Sequence, residues 1–309
     1  MVSLIGANDA NLRAIEAAFP SVNITVRSNE ITLRGPHIDC LAIEKLFAEM
    51  TLVIRSGQSL TVDAVARSIA MLGQEPAESP AEVLSLNIVS NRGRTIRPKT
   101  ANQKRYVDAI EDNTITFGIG PAGTGKSYCA AAIAADALQS GQIERIILTR
   151  PAVEAGENLG FLPGDVDEKF AVYIEAFRDC LNERLGSGAV DYFLRHGRIV
   201  AAPLAFMRGK TFGADSFVIL DEAQNTSVAQ MKMFLTRLGK GSRMVITGDR
   251  TQIDLPRGVP SGLADAERLL SKIPKVSFNY FTSKDVVRHP LVAAIIEAYE
   301  ADEPHNQST

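Results

Sequence analysis

The chain has 309 residues, 45% apolar and 22% charged, with a formal net charge of -3, a balance that excludes an intrinsically disordered protein. Its length exceeds that of a typical single core, so one large α/β domain or such a domain with a smaller companion is expected. No apolar run approaches the roughly 20 residues of a membrane span, and the N-terminus MVSLIGANDA lacks a basic leader, so a cytoplasmic location without a membrane partner is expected.

In chain order, residues 1–72 read as a small α+β domain. It has a helix near 8–18, strands at SVNITVRS and EITLRG joined by a tight turn at SNE, and helices near 38–50 and 61–72. The strands follow from the alternation of Val22, Ile24 and Val26, and of Ile31 and Leu33, which places apolar side chains on one face. Periodicity is lost over 73–99, where Pro76, Pro80, Gly93 and Pro98 mark a linker. Residues 1–90 carry 6 basic and 10 acidic side chains, whereas Arg92, Arg94, Arg97, Lys99, Lys104 and Arg105 follow with no acid among them. Such a run either attracts phosphate or is a solvated linker.

Over 100–300 the short apolar runs TITFGIG, ERIILTR, GRIVAAP, SFVILDE and RMVITGD alternate with helical stretches. That is the pattern of an α/β domain, a parallel sheet with helices on both faces. Residues 301–309 read as a polar tail. Cys40, Cys129 and Cys180 have no partner at zinc-ligand spacing and read as buried, reduced thiols.

The chemistry lies at the ends of those runs. Gly120, Pro121, Ala122, Gly123, Thr124, Gly125, Lys126 and Ser127 spell GPAGTGKS, which fits G-x-x-x-x-G-K-[ST] between a strand and a small-residue helix. Backbone N–H groups and the helix N-terminus cradle phosphate, Lys126 reaches the terminal phosphates, and Ser127 is a ligand for Mg²⁺. In FVILDEAQ a buried strand delivers Asp221 to the same metal, with Glu222 beside it to accept a proton from an attacking water. In MVITGDRTQ the polar cluster ends another strand, which places Gln252 to sense the γ-phosphate or orient that water. Asp249 read alone is a turn or helix cap.

With LTRPAVEAGENLGFLPGD, FMRGKTFGADSFVILDEAQN, ITGDRTQIDLP and DVVRHPLV in order, residues 98–300 resemble the PhoH-like ATPases. The resemblance implies a RecA-like P-loop NTPase domain similar to the first motor domain of superfamily 1 helicases, with ATP as nucleotide. It also implies that Gln103 is the adenine-reading glutamine, that the N-terminal domain is KH-related, and that RNA is a partner. The N-terminal domain is acidic and has no G-x-x-G loop of the kind that clamps a nucleic-acid backbone. RNA contact is therefore expected from Arg92–Arg105 or from Glu154–Asp165, the latter also readable as an ordinary loop with a Pro163-Gly164 turn. Residues 1–90 lack the cluster of metal-binding carboxylates of a PIN-type nuclease domain, so any nucleolytic work requires a separate ribonuclease partner.

Only 60 residues follow Asp249, too few for the second motor domain that closes the site in superfamily 1 helicases. The expectation is therefore a homo-oligomeric ring, a hexamer as the resemblance implies, with an arginine inserted from the neighbouring subunit. Arg288 in SKDVVRHPLV is the first candidate, with helix capping or a salt bridge as its other reading, and Arg257 and Arg208 are the reserves. Three functions remain open: an ATPase remodelling RNA or an RNA–protein assembly, a nucleotide-gated binding module with slow turnover, and a P-loop kinase. Glu222 directly after Asp221 favours water over a bound hydroxyl as phosphoryl acceptor.

Overall fold

A computed structural model describes residues 2–28, 30–55, 59–72, 89–91, 94–151, 166–213 and 215–286. Its first elements are α1 (Val2–Ile5), α2 (Ala10–Ala18), β1 (Asn23–Arg27), β2 (Glu30–Arg34), α3 (His37–Arg55) and α4 (Val62–Met71). β1 and β2 pair antiparallel with Ile24 opposite Leu33, and Ser28 takes a left-handed φ of 54° in the turn between them. On α3, Ile43, Leu46, Met50 and Val53 recur at helical spacing and are buried. Thr61 caps α4 by accepting a hydrogen bond from Ala64 N at 3.2 Å. Ile15, Val22, Ile24, Ile43, Leu46, Met50 and Val65 form a core of their own. These are the elements that the alternation and periodicity predict, with two additions: α1, and the extension of α3 to Arg55.

Within the segment expected to be linker, β3 (Val89–Asn91) and β4 (Arg94–Ile96) form a short antiparallel ladder. Three residues per strand are too few to give a readable alternation.

The second unit is built from α5 (Ala101–Asp112), β5 (Ile115–Ile119), α6 (Lys126–Gln139), β6 (Arg145–Arg150), α7 (Val166–Leu185), α8 (Ser187–Arg195) and β7 (Ile199–Pro203). It continues with β8 (Ser216–Leu220), α9 (Val228–Leu235), β9 (Arg243–Gly248), α10 (Gly262–Leu270) and β10 (Val276–Tyr280). The strands form one sheet of order β10-β5-β9-β8-β6-β7, in which every pairing is parallel. Five of these strands match the five apolar runs. The sixth, VSFNY, is an edge strand whose half-buried residues lack a continuous apolar run, and Phe278 holds it by stacking on Phe117 at 4.3 Å.

Each face of the sheet has a core. Helices α5 to α8 cover one, with Tyr106, Ile110, Leu138 and Leu181 packed on Ile146, Phe217 and Val245. Helices α9 and α10 cover the other, where Met231, Phe234 and Leu263 meet Phe117, Val218 and Ile246. Helix α6 is buried nearly all round, including Ala130, Ala131, Ala132, Ala134 and Ala135, whose small side chains let it lie close to the strands. The chain leaves β5 toward β6 by crossing β9 and β8, so a crevice opens at the carboxyl ends of the strands, where such sheets bind ligands.

Of the cysteines, Cys129 and Cys180 are buried, and burial pushes each thiol up to about 12, as inert reduced thiols require. Cys40 is a correction to the sequence reading, since it is only half-buried.

Candidate nucleotide site

Register brings the site together. Ile119 lies opposite Gly248, Leu220 opposite Ile246, and Thr149 opposite Leu220, so the loop after β5, Asp221 after β8 and the turn after β9 share one edge. There a cavity of about 280 Å³ is lined by Ala122, Gly123, Gly125, Lys126, Ser127, Tyr128, Asp221, Glu222, Gly248, Asp249 and Gln252.

The loop's shape depends on two glycines. Gly120 has φ 153°, and a Cβ there would fall 2.5 Å from the backbone oxygen of Phe281, just past β10. Gly125, at φ 82°, caps α6 without a side chain, and a Cβ there would meet Gln103 Nε2 at 2.9 Å. The first N–H groups of α6 thus point into the cavity without a side-chain cap, the arrangement that receives an anion.

Lys126 is buried, with 8% exposure. Its Nζ donates to the carbonyls of Gly120 at 2.6 Å and Pro121 at 2.7 Å, and to Thr124 Oγ1 at 3.3 Å. Burial lowers its pKa, opposed by the carboxylates of Asp249, Asp221 and Glu222. Phosphate oxygens would compete well with neutral carbonyls for this ammonium, because charge-assisted bonds are the stronger.

Asp221 Oδ1 accepts from Ser127 Oγ at 2.8 Å and from Thr247 Oγ1 at 2.5 Å. Hard oxygen donors at that spacing fit Mg²⁺, which keeps several waters and takes few protein ligands. Ser127 and Asp221 are the residues that could hold it. Among the described residues no group of three or more His, Cys, Asp or Glu forms another candidate metal site.

Glu222 has a left-handed backbone, φ 53° and ψ 40°, uncommon for a non-glycine residue and costly by about 1–3 kcal/mol. Its Oε2 accepts from Gln224 Nε2 at 2.5 Å, and its Oε1 lies 3.9 Å from Arg150 Nη2. Gln224 is the residue that sequence reasoning missed. It is 1% exposed, donates also to Gln252 O at 3.0 Å, and accepts from Asp249 N at 2.9 Å. One amide therefore ties the carboxylate strand to the turn after β9. Gln252 is exposed and lines the cavity, and Asp249 is buried as a turn cap, its Oδ1 accepting from Thr251 N and Oγ1. Thr247 and Tyr128 were also missed; the only available signals were a hydroxyl two residues before Asp249 and an aromatic directly after GKS.

Other candidates stand apart. Gln103 is buried beneath the loop, with Oε1 accepting from Lys99 N at 2.6 Å and Nε2 donating to Thr124 O at 2.9 Å. Arg208 and Arg257 are exposed and do not line the cavity. Arg288, Arg92 and the stretch Glu154–Asp165 lie outside the described residues. Lys104 pairs with Asp108 at 2.7 Å and Arg105 donates to Asn102 at 3.2 Å, and Lys99 is exposed. Among the described residues no helix is long and apolar enough to cross a membrane.

The family described as PhoH-like protein matches residues 95–300. A PhoH-like protein of Mycobacterium tuberculosis is 54% identical over 299 residues, 97% of this chain and 84% of its own length. One of Bacillus subtilis is 47% identical over 300 residues, 97% of this chain and 93% of its own. Among solved structures, the UvsW helicase from bacteriophage T4 aligns over 64% of each chain at 13% identity with a TM-score of 0.39, a likeness too distant to bear on mechanism.

Proposed function

We infer the function from one premise: this chain belongs to the PhoH-like protein family. Its cavity has the construction of a nucleotide-binding site, and the reading that fits best is a Mg²⁺-dependent ATPase of cytoplasmic RNA metabolism. The observation that carries it is the convergence of Lys126, Ser127, Asp221 and Glu222, from two separate segments, on one cavity.

In this reading the loop amides and Lys126 hold the β- and γ-phosphates. Mg²⁺ bound at Ser127 and Asp221 would neutralise charge on the phosphate oxygens. Glu222 accepts a proton from water as the water oxygen bonds to the γ-phosphorus and the bond to ADP breaks. Gln224 on Oε2 and Arg150 facing Oε1 orient the carboxylate, and each oxygen keeps a lone pair to receive that proton. The same residues would hold a nucleotide with or without rapid hydrolysis, so a nucleotide-gated binding module is the second reading.

The RNA partner rests on the family resemblance and on exposed Lys99 in the basic stretch. The ring, a hexamer, rests on the resemblance and on the cavity lining, which contains no arginine among the described residues, Arg150 standing 3.9 Å from Glu222. A transferred phosphoryl group needs such a cation, and Arg288 of a neighbouring subunit is the first candidate to supply it. Any RNA cleavage falls to a separate ribonuclease.

The test is ATP turnover with Mg²⁺ or EDTA, with and without a panel of RNAs and DNAs, for wild type, Glu222→Gln and Asp221→Asn. The reading expects RNA-stimulated, Mg²⁺-dependent turnover, nucleotide binding without turnover in Glu222→Gln, and loss of the Mg²⁺ effect on binding in Asp221→Asn. Wild-type turnover in Glu222→Gln refutes it, and binding with negligible turnover under every condition establishes the gated module instead.

A further inference from the structure

The cavity contains one group that phosphate and metal chemistry do not use. Tyr128 sits in the first turn of α6, directly after Ser127, and lines the cavity with 39% of its surface exposed. Side chains on a helix lean toward its N-terminus, so this ring covers the turn that holds the phosphates. Its hydroxyl donates to Glu183 Oε2 on α7 at 3.0 Å, so the polar end of the side chain already has a protein partner. Gln103, by contrast, does not line the cavity. It is 5% exposed, and both ends of its amide are engaged, by Lys99 N and Thr124 O. To read a base edge the amide would have to turn out from beneath the loop, away from the bond that braces Thr124.

We propose that Tyr128 is the nucleobase platform of this site, holding the base of a nucleoside triphosphate by stacking, and that Gln103 is a positioning residue for the phosphate loop. This rests on the nucleotide reading above and adds its specificity. Stacking tolerates any base, because every base presents a π-face, whereas hydrogen bonding to a base edge discriminates. The site therefore selects the triphosphate strongly and the base weakly. A purine covers more of the ring than a pyrimidine, so the order of affinity is ATP and GTP together, then CTP.

The experiment measures equilibrium binding of ATP, GTP, CTP and inorganic tripolyphosphate with Mg²⁺, to wild type, Tyr128→Ala, Tyr128→Phe, Gln103→Ala and Lys126→Ala. Wild type is expected to bind ATP and GTP within about fivefold of each other. Tyr128→Ala should weaken both by about tenfold, or about 1.4 kcal/mol, and leave tripolyphosphate unchanged, while Tyr128→Phe behaves as wild type. Gln103→Ala should weaken all four ligands alike, tripolyphosphate included, as a loop brace must. The proposal is overturned if Tyr128→Ala binds ATP normally, if it weakens tripolyphosphate as much as ATP, or if Gln103→Ala affects ATP and spares GTP. Lys126→Ala separates the two levels. If it abolishes binding of all four ligands while Tyr128→Ala changes none, the platform fails and the nucleotide site stands. If it changes nothing, both fail.

Discussion

Gln224→Leu removes one buried amide of nearly the same size as its replacement, so its effect reads the polar network rather than a cavity. Three bonds go: Asp249 N to Oε1 at 2.9 Å, and Nε2 to Glu222 Oε2 at 2.5 Å and to Gln252 O at 3.0 Å. Gln252 is exposed, so water replaces the third at little cost. The Glu222 side chain is 30% exposed, so water recovers part of the second, which leaves about 1 kcal/mol. Asp249 is 5% exposed, and its N–H is left with no acceptor at a cost of about 1–3 kcal/mol. The sum is about 2–4 kcal/mol of folding stability. Urea unfolding followed by far-ultraviolet circular dichroism suits the measurement, because the chain has no tryptophan. Glu222 also loses its positioning bond, so single-turnover hydrolysis should slow by about a hundredfold while ATP affinity changes little. Stability within about 0.5 kcal/mol of wild type, with undiminished hydrolysis, would refute the view that this amide organises the site.

Lys126 is pushed down by burial, so its ammonium deprotonates below the ordinary lysine value of 10.5. The unfolded chain binds the extra proton in that window, so this group favours the folded state as pH rises through it, while ATP affinity falls over the same interval; calorimetric titration from neutral to alkaline pH checks both signs. Gly120→Ala should prevent a formed loop, because the Cβ would lie 2.5 Å from a backbone oxygen that no side-chain rotation can move; wild-type ATP binding by a folded Gly120→Ala protein contradicts this. For the ring, mixing Arg288→Ala subunits with Lys126→Ala subunits, each inactive alone, should restore some turnover by pairing an intact loop with an intact arginine; a fully active monomer at low concentration rules the ring out. If Lys99 and Arg97 contact RNA phosphates, replacing both with Ala should weaken binding to many sequences alike and reduce the salt slope by up to about 2, whereas an unchanged slope leaves the segment a linker.

What was legible in the sequence was whatever is carried by contiguous residues. FVILDE and MVITGD each show a buried strand running into a polar terminus, and GPAGTGKS carries its own backbone requirement in its glycines. The antiparallel pair in the N-terminal unit was equally open, since Val22, Ile24, Val26, Ile31 and Leu33 alternate. The unread parts depend on contacts between distant segments. Gln224 matters because Asp249 and Gln252 fold back onto it, and nothing in DEAQN distinguishes that amide from a surface one. The burial of Lys126 follows from its own loop carbonyls closing around the ammonium, a tertiary fact hidden by a residue type that is almost always exposed. Strand β10 escaped notice because an edge position needs no continuous apolar run, yet Phe281 just beyond it walls the loop against Gly120.

The alanine-packed helix α6 sets the mechanics of the machine. Buried on nearly every side and pressed against the sheet, it has no free volume into which to slide or tilt, and the phosphate loop is continuous with its first turn. The loop is thus a fixed jaw. Across the cavity, Glu222 sits in a strained backbone conformation, and residues 250–254 are all exposed. That side is held through hydrogen bonds such as those of the Gln224 amide, rather than by a packed helix, so it is the jaw with the weaker restraint.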